Sequence, residues 1–245
     1  MKLVEQLRRA ARTRHLSPRT EDTYVGWVKR YIRFHGIRHP KDLGAEEITA
    51  FLTHLAVRDQ VSPSTQNQAK SALLFLYREV LGTPILANQK IPSARNAKRL
   101  PVVLTREEVR RVLDHMSGVP RLVATLLYGS GLRVQEALTL RVKDVEPGRK
   151  EILVRKGKGQ KDRLTMLPDS VTNAVARQIQ TVRALFEEEL KNGGGFVALP
   201  GALERKSPTD ARTLAWQYIF PASRSTTEPG SGHRTRHHLH PSAVQ

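Results

Sequence analysis

The chain has 245 residues, 39% of them apolar, enough for one large domain or two ordinary ones with proper cores and too many for a disordered chain. Lysine and arginine outnumber aspartate and glutamate by 41 to 23, a net charge of +18, which favours a polyanionic partner and ranks nucleic acid ahead of an anionic membrane or an acidic protein. No run approaches the ~18 apolar residues of a membrane span and no signal-peptide core follows the N-terminus. The absence of cysteine excludes disulfides and thiolate zinc sites and suits a reducing cytoplasm.

In "MKLVEQLRRAARTR", Leu3, Leu7 and Ala10 or Ala11 recur at core-helix spacing, which favours a packed first helix over a basic targeting segment. "LSPRTEDTYVGWVKRYIRFHG" opens with Ser17 as N-cap and Pro18 at the first helical position; Tyr24, Trp27/Val28 and Tyr31/Ile32 then mark one buried face before Gly36. "GAEEITAFLTHLAV" and "SPSTQNQAKSALLFLYREVLG" repeat the pattern, the second running from Ser62 and Pro63 to Gly82. Residues 1–85 are therefore expected to form a small all-helical domain. Residues 86–104, "LANQKIPSARNAKRLPVVL", lose the periodicity and carry two prolines and four basic residues, as an extended linker lying against a polyanion does.

A second domain is expected over 105–245. Thr105 and Glu108 make a capping-box pattern, followed by Val109, Val112/Leu113 and Met116 on one face and Gly118 as the stop. "GSGLRVQEALTL" then sets Arg133 within what reads as the buried stretch of a helix. A guanidinium keeps its proton, so desolvating it requires an anion or several acceptors. Gly129 and Gly131 suit close approach of a phosphate, while the plainer alternative has Arg133 reach solvent or pair with Glu136. A dinucleotide-binding loop is excluded, because Val134 stands where the third glycine belongs and no β-run precedes the motif.

"RVKDVEPGRKEILVRKGKGQKDRLTML" predicts three antiparallel strands, with Lys156, Lys158 and Lys161 on a glycine-bearing hairpin that either contacts phosphate or is a solvated basic turn. "SVTNAVARQIQTVRALFEEELKNGGG" predicts a long helix burying Val171, Val175, Ile179, Val182 and Phe186. Beyond Phe196 only "LAWQYIF" is amphipathic. The fold class is mainly α with a small antiparallel β meander.

The succession Gly-x-Gly-Leu-Arg-x-x-Glu-Ala-Leu, then Gly-Lys-Gly-x-Lys-x-Arg and "LTMLP", resembles the first half of the catalytic domain of the tyrosine recombinases. The helical half, with "SPRTEDTYVGWVKRYIRFHG" and "SPSTQNQAKSALLFLYREVLG", is similar to their core-binding domain. "GGGFVALPGALERKSP", "AWQYIFPASR" and "RHHLHPSAVQ" are similar to the segment added in integron integrases, here about 196–235, so the resemblance spans essentially the whole chain. It implies phosphoryl transfer without metal or other cofactor, through a 3′-phosphotyrosyl link, to recombine gene cassettes. Arg133 matches the first catalytic arginine and Lys158 the general-acid lysine, with Lys161 as the runner-up. Lys156, Lys161 and Arg163 are expected to contact DNA.

The resemblance also implies a His-x-x-Arg box and, some thirty residues later, a tyrosine nucleophile. None of the five tyrosines fits: Tyr24, Tyr31 and Tyr77 lie in the helical half, Tyr128 precedes Arg133, and Tyr218 sits in the added segment. "HGIR" at His35 is in the wrong half, and "HRTR" at His233 is followed by only nine residues. The expectation is a catalytic domain cut short, which binds DNA without cleaving it. The alternative is a non-catalytic or interfering short form; a basic transcription regulator ranks last for want of a persuasive helix-turn-helix. In "HRTRHHLH" no carboxylate or cysteine is near the histidines, so no metal is expected. The resemblance instead assigns Arg236, His237, His238 and Trp216 to DNA, with His237, His238 and Trp216 meeting extrahelical bases of folded single-stranded hairpin sites; for Trp216 the alternative is plain packing. It further implies a tetrameric synapse in the complete family, no membrane partner, and a bacterial, nucleoid-associated cytoplasmic location.

Overall fold

The computed structural model describes residues 2–83, 91, 93–95, 100–155, 161–228 and 230–244. The chain divides into two compact units, Met1–Pro101 and Val102–Gln245. The architecture is mainly helical with a small antiparallel sheet.

Unit 1 is built from α1 (Leu3–Thr13), α2 (Pro18–Phe34), α3 (Ala45–Val57) and α4 (Pro63–Phe75), the last continued by a π-helical turn over Leu76–Val80. The helix starts are those that the serine-proline pairs predict: Ser17 Oγ accepts from the Thr20 amide at 3.1 Å, and Ser62 Oγ from the Thr65 amide at 3.3 Å. Val28, Tyr31, Ile48, Leu55, Leu73 and Tyr77 are fully buried between the helices. Charge fastens α1 to α2, because the buried Glu21 accepts from Arg8 Nη1 at 2.6 Å and from Arg12 Nε at 3.1 Å. Those two guanidinium groups hold the Glu21 carboxyl below its ordinary pKa, Arg12 more than Arg8.

Tyr77 closes the other end of this core. Its hydroxyl lies 2.9 Å from the Pro40 carbonyl, 3.0 Å from the Leu43 carbonyl and 3.1 Å from the Tyr31 hydroxyl. With one proton it donates to a carbonyl and accepts from Tyr31, which joins the α2–α3 connection to the π turn. Burial pushes both phenols above their ordinary pKa, so the pair stays neutral.

Unit 2 contains α5 (Arg106–Asp114), α6 (Gly118–Ser130), α7 (Val134–Leu138), α8 (Asp169–Lys191) and the short α9 (Leu203–Lys206). Its strands β1 (Val145–Glu146), β2 (Glu151–Val154) and β3 (Arg163–Met166) form the predicted meander in the order β1-β2-β3. Ile152 pairs with Thr165 and Leu153 with Leu164, a register that turns Ile152 and Val154 into the core with Val123, Leu126, Val171 and Val175. Pro168, just before α8, packs so closely on α6 that a Cβ at Gly129 would collide with its ring. That glycine is therefore required for helix packing.

Residues 196–239 have their own order. The Val142 amide donates to Gln217 O at 3.0 Å and the Ile219 amide to Leu140 O at 2.9 Å, so 217–219 lies along 140–142. On its other side the Leu239 amide reaches Phe220 O and the Ala222 amide reaches His237 O, both at 2.7 Å. A small hairpin, β4 (Thr226–Thr227) with β5 (Arg234–Thr235), completes it.

Tyr77→Phe removes one hydroxyl from a packed site and strands a carbonyl, so it is expected to destabilise unit 1 by about 1–3 kcal/mol. Urea unfolding followed by Trp27 fluorescence in a Trp216→Phe background measures this; an unchanged midpoint refutes the role given to the hydroxyl.

Candidate functional site

The backbone breaks at Arg133. Gly131 ends α6 in the left-handed region (φ 62°), Leu132 buries its side chain, and Arg133 takes extended backbone (φ −78°, ψ 152°) before α7 begins at Val134. The sequence places Arg133 inside a helical stretch; the structure puts it at the joint between two helices, with its side chain 56% exposed. The glycine that looked suited to a close ligand approach supplies the left-handed turn that frees the arginine.

The anion that Arg133 meets is Glu136. Arg133 Nη1 donates to Glu136 Oε1 at 2.7 Å, and the Arg133 amide donates to Oε2 at 2.9 Å. Arg163, the first residue of β3, grips the same carboxylate in fork geometry, Nη1 to Oε1 at 3.0 Å and Nη2 to Oε2 at 2.7 Å. The carboxylate is only 10% exposed, and its pKa falls to about 2, chiefly through Arg163 and then the Arg133 amide and guanidinium, against the opposing effect of burial. One carboxylate thus serves two guanidinium groups and leaves one positive charge in excess.

β3 is tied to both sides of the break, since Thr165 Oγ1 donates to Ser130 O at 2.9 Å while Arg163 holds Glu136. Ser130 Oγ is buried without a hydrogen-bond partner among the described residues. Gln135 projects from α7 to His238, Nε2 to Nε2 at 3.3 Å, and the His238 ring stands edge-on to Tyr218 at 5.4 Å. The tail histidine and the Arg133 turn therefore share one neighbourhood. Of the hairpin lysines, Lys161 is exposed just before β3, whereas Lys156 and Lys158 lie outside the described residues.

The aromatic residues of the added segment are anchored by cations. Buried Arg141 donates through Nη1 to Trp216 O at 2.6 Å and through Nη2 to Ala198 O at 2.9 Å and Tyr218 Oη at 3.0 Å, and its guanidinium lies 4.3 Å from the centre of the Tyr218 ring. Lys143 Nζ sits 2.8 Å from the centre of the Trp216 ring, and burial lowers its pKa. Trp216 itself packs on a small cluster of Val197, Leu199, Ala211 and Tyr218. Arg236 is committed as well: Nη2 meets Glu189 at 2.7 Å and Nη1 donates to Ala222 O at 2.7 Å, so it binds the tail to α8. His237 next to it is exposed.

Sequence reasoning set Glu136 down only as a mundane partner and did not find Arg141, Tyr218 or Gln135. The three-residue spacing of Arg133 and Glu136 was the available signal for the first; the others rest on contacts across 57 to 103 residues, which no local pattern encodes. Among the described residues no three His, Asp or Glu side chains group to hold a metal, and no helix is long and apolar enough to cross a membrane.

Residues 3–86 match the family model described as phage integrase, N-terminal SAM-like domain, and residues 102–240 match the phage integrase family. Two proteins called integrase/recombinase, from Escherichia coli and Pseudomonas aeruginosa, are each 46% identical to the chain over all 245 residues, which span 73% of their length. The tyrosine recombinase XerA of Thermococcus kodakarensis is 34% identical over 169 residues, 67% of this chain and 57% of that protein. Among solved structures, the Tn1549 transposon integrase in complex with a circular intermediate DNA is similar in fold, with a TM-score of 0.53 at 15% identity over 96% of this chain and 73% of that one. From the helical unit to the sheet and the arginine turn, the chain belongs to the phage integrase family of tyrosine recombinases.

Proposed function

We propose that the chain is the DNA-engaging part of an integron-type site-specific recombinase, and that it binds recombination-site DNA without cutting it. The observation that carries this reading is the pair of guanidinium groups of Arg133 and Arg163 on the Glu136 carboxylate: one positive charge in excess, at a turn where Arg133 is half exposed. A scissile phosphate takes the outer face of Arg133, whose donors extend beyond the single contact to Glu136, while Arg163 stays bound and keeps the turn in place. Lys158, with Lys161 as the runner-up, supplies the proton to the leaving 5′ oxygen in the complete reaction, and Lys156 adds phosphate contact. Arg236 serves DNA indirectly, by fixing the tail that carries His237 and His238; these and Trp216 face unpaired bases of folded hairpin sites. No step calls for a metal or other cofactor.

The positions of the tyrosines other than Tyr128 support binding without cleavage. Tyr31 and Tyr77 are fully buried and bonded to each other, Tyr24 packs on Phe75, and Tyr218 is buried against Arg141. Tyr128 on α6 is 56% exposed, which makes it the one tyrosine of unit 2 open to a substrate. A tetrameric synapse and a cytoplasmic, nucleoid-associated setting belong to the same proposal.

On duplex and hairpin DNA, affinity is expected to fall steeply with salt, and Arg133→Ala to reduce the slope of log K against log salt by about 1. A slope that does not change with Arg133 contradicts its phosphate role. On a nicked suicide substrate no covalent protein–DNA adduct is expected; an adduct abolished by Tyr128→Phe overturns the non-cleaving reading. Because the Glu136 pKa is depressed, its contribution to stability is complete above the ordinary carboxylate value of 4.5 and is lost as pH falls toward about 2. Acid titration of Trp216 fluorescence, in a Trp27→Phe background, should lose that component in Glu136→Gln; identical acid profiles contradict it.

A further inference from the structure

Within residues 86–104, Ile91, Ser93 and Ala94 lie on the helices of unit 1. Ile91 is 9% exposed and belongs to that unit's core. Lys70 of α4 donates through Nζ to Ile91 O at 2.6 Å and contacts Ser93 Oγ at 2.7 Å. One turn earlier, Asn67 uses both ends of its amide on one residue: Nδ2 donates to Ala94 O at 2.9 Å, and Oδ1 accepts from the Ala94 amide at 3.1 Å. That reciprocal pair copies a strand-to-strand exchange and fixes the backbone of Ala94 against α4.

We infer that the docked residues Ile91, Ser93 and Ala94, held by Asn67 and Lys70, act as a strap that shortens the tether between the two units. The last described residue of the helical bundle before it is Thr83, whose amide reaches Tyr77 O at 3.1 Å. The first anchored residue of unit 2 is Thr105, which caps α5 and is bonded to Glu108. From Thr83 to Thr105 is 22 residues, and from Ala94 to Thr105 it is 11. Docking therefore halves the maximum reach, from about 75 Å to about 38 Å.

The consequence follows from bivalency, and here the inference rests on the proposed reading that both units engage one DNA. Once one unit is bound, the local concentration of the other falls roughly as the −3/2 power of tether length, so a doubled tether weakens two-unit binding by about threefold. The strap keeps the pair in the short regime. The anchors are one ammonium, Lys70 on Ile91 O and Ser93, and one neutral amide, Asn67 on Ala94, which leaves Arg95 exposed.

The test uses the full chain, whose lack of cysteine allows labels at Gln6→Cys on α1 and Thr181→Cys on α8. In the DNA-free protein, Asn67→Ala/Ile91→Ala, which alters no charge, is expected to widen the distance distribution between the labels and extend its long end. Asn67→Ala alone, which keeps the buried isoleucine, is expected to give an intermediate effect and guards against a folding defect in the double variant. An unchanged distribution in a variant with an unchanged melt overturns the strap. On a duplex spanning both units, the double variant should bind about threefold more weakly at constant salt slope. If the wild-type chain fails to bind DNA the functional reading falls, while the distance measurement still decides the strap.

Discussion

Unit 2 turns on one largely shielded carboxylate. Glu136 is bonded to the Arg133 amide and guanidinium on its own helix and to the fork of Arg163 on β3. Removing it would leave two cations facing each other in a site that is largely shielded, so neither the α6–α7 joint nor the start of β3 would keep its geometry. The arginine turn and β3 are separated in sequence, and this carboxylate ties them together. The hairpin strand is further held by Thr165 on Ser130 O, so the joint is bracketed from both sides.

Much of this was legible in the sequence, for physical reasons that differ by element. The starts of α2 and α4 were readable because a serine followed by proline satisfies an orphan amide and sets the first helical φ locally. The meander was readable because its turns are rich in glycine and its strands short and branched. Arg133 was misplaced within a helix because apolar spacing continues through Leu132, Ala137 and Leu138, all buried, while the left-handed Gly131 interrupts the backbone without interrupting the pattern. The added segment was almost opaque. Its order comes from backbone pairing with 140–142 and 237–239 and from a buried arginine that bonds to carbonyls 57 and 75 residues away.

Arg141 and Lys143 bear on the aromatic residues assigned to unpaired bases. A tryptophan ring has two faces, and in this structure a lysine ammonium occupies one at 2.8 Å from the ring centre. A base that stacks on Trp216, as proposed, competes with Lys143 for the ring. Displacement is not a pure loss, because the lysine then becomes available to the incoming phosphate and leaves the burial that lowers its pKa. In the proposed reading, the cation on the ring would couple stacking to backbone neutralisation.

The same logic explains why the arginine turn is held by an acid at all. A lone Arg133 at an exposed joint would sample many rotamers, and a phosphate would have to fix them on arrival, at a cost of up to about 2 kcal/mol of side-chain entropy. Glu136 has already fixed the guanidinium through one of its donors. Because Arg163 balances the carboxylate, the group that orients Arg133 does not cancel its attraction for an anion. Orientation and net charge are normally opposed, since whatever holds a cation in place also neutralises it; two arginines on one carboxylate separate the two demands.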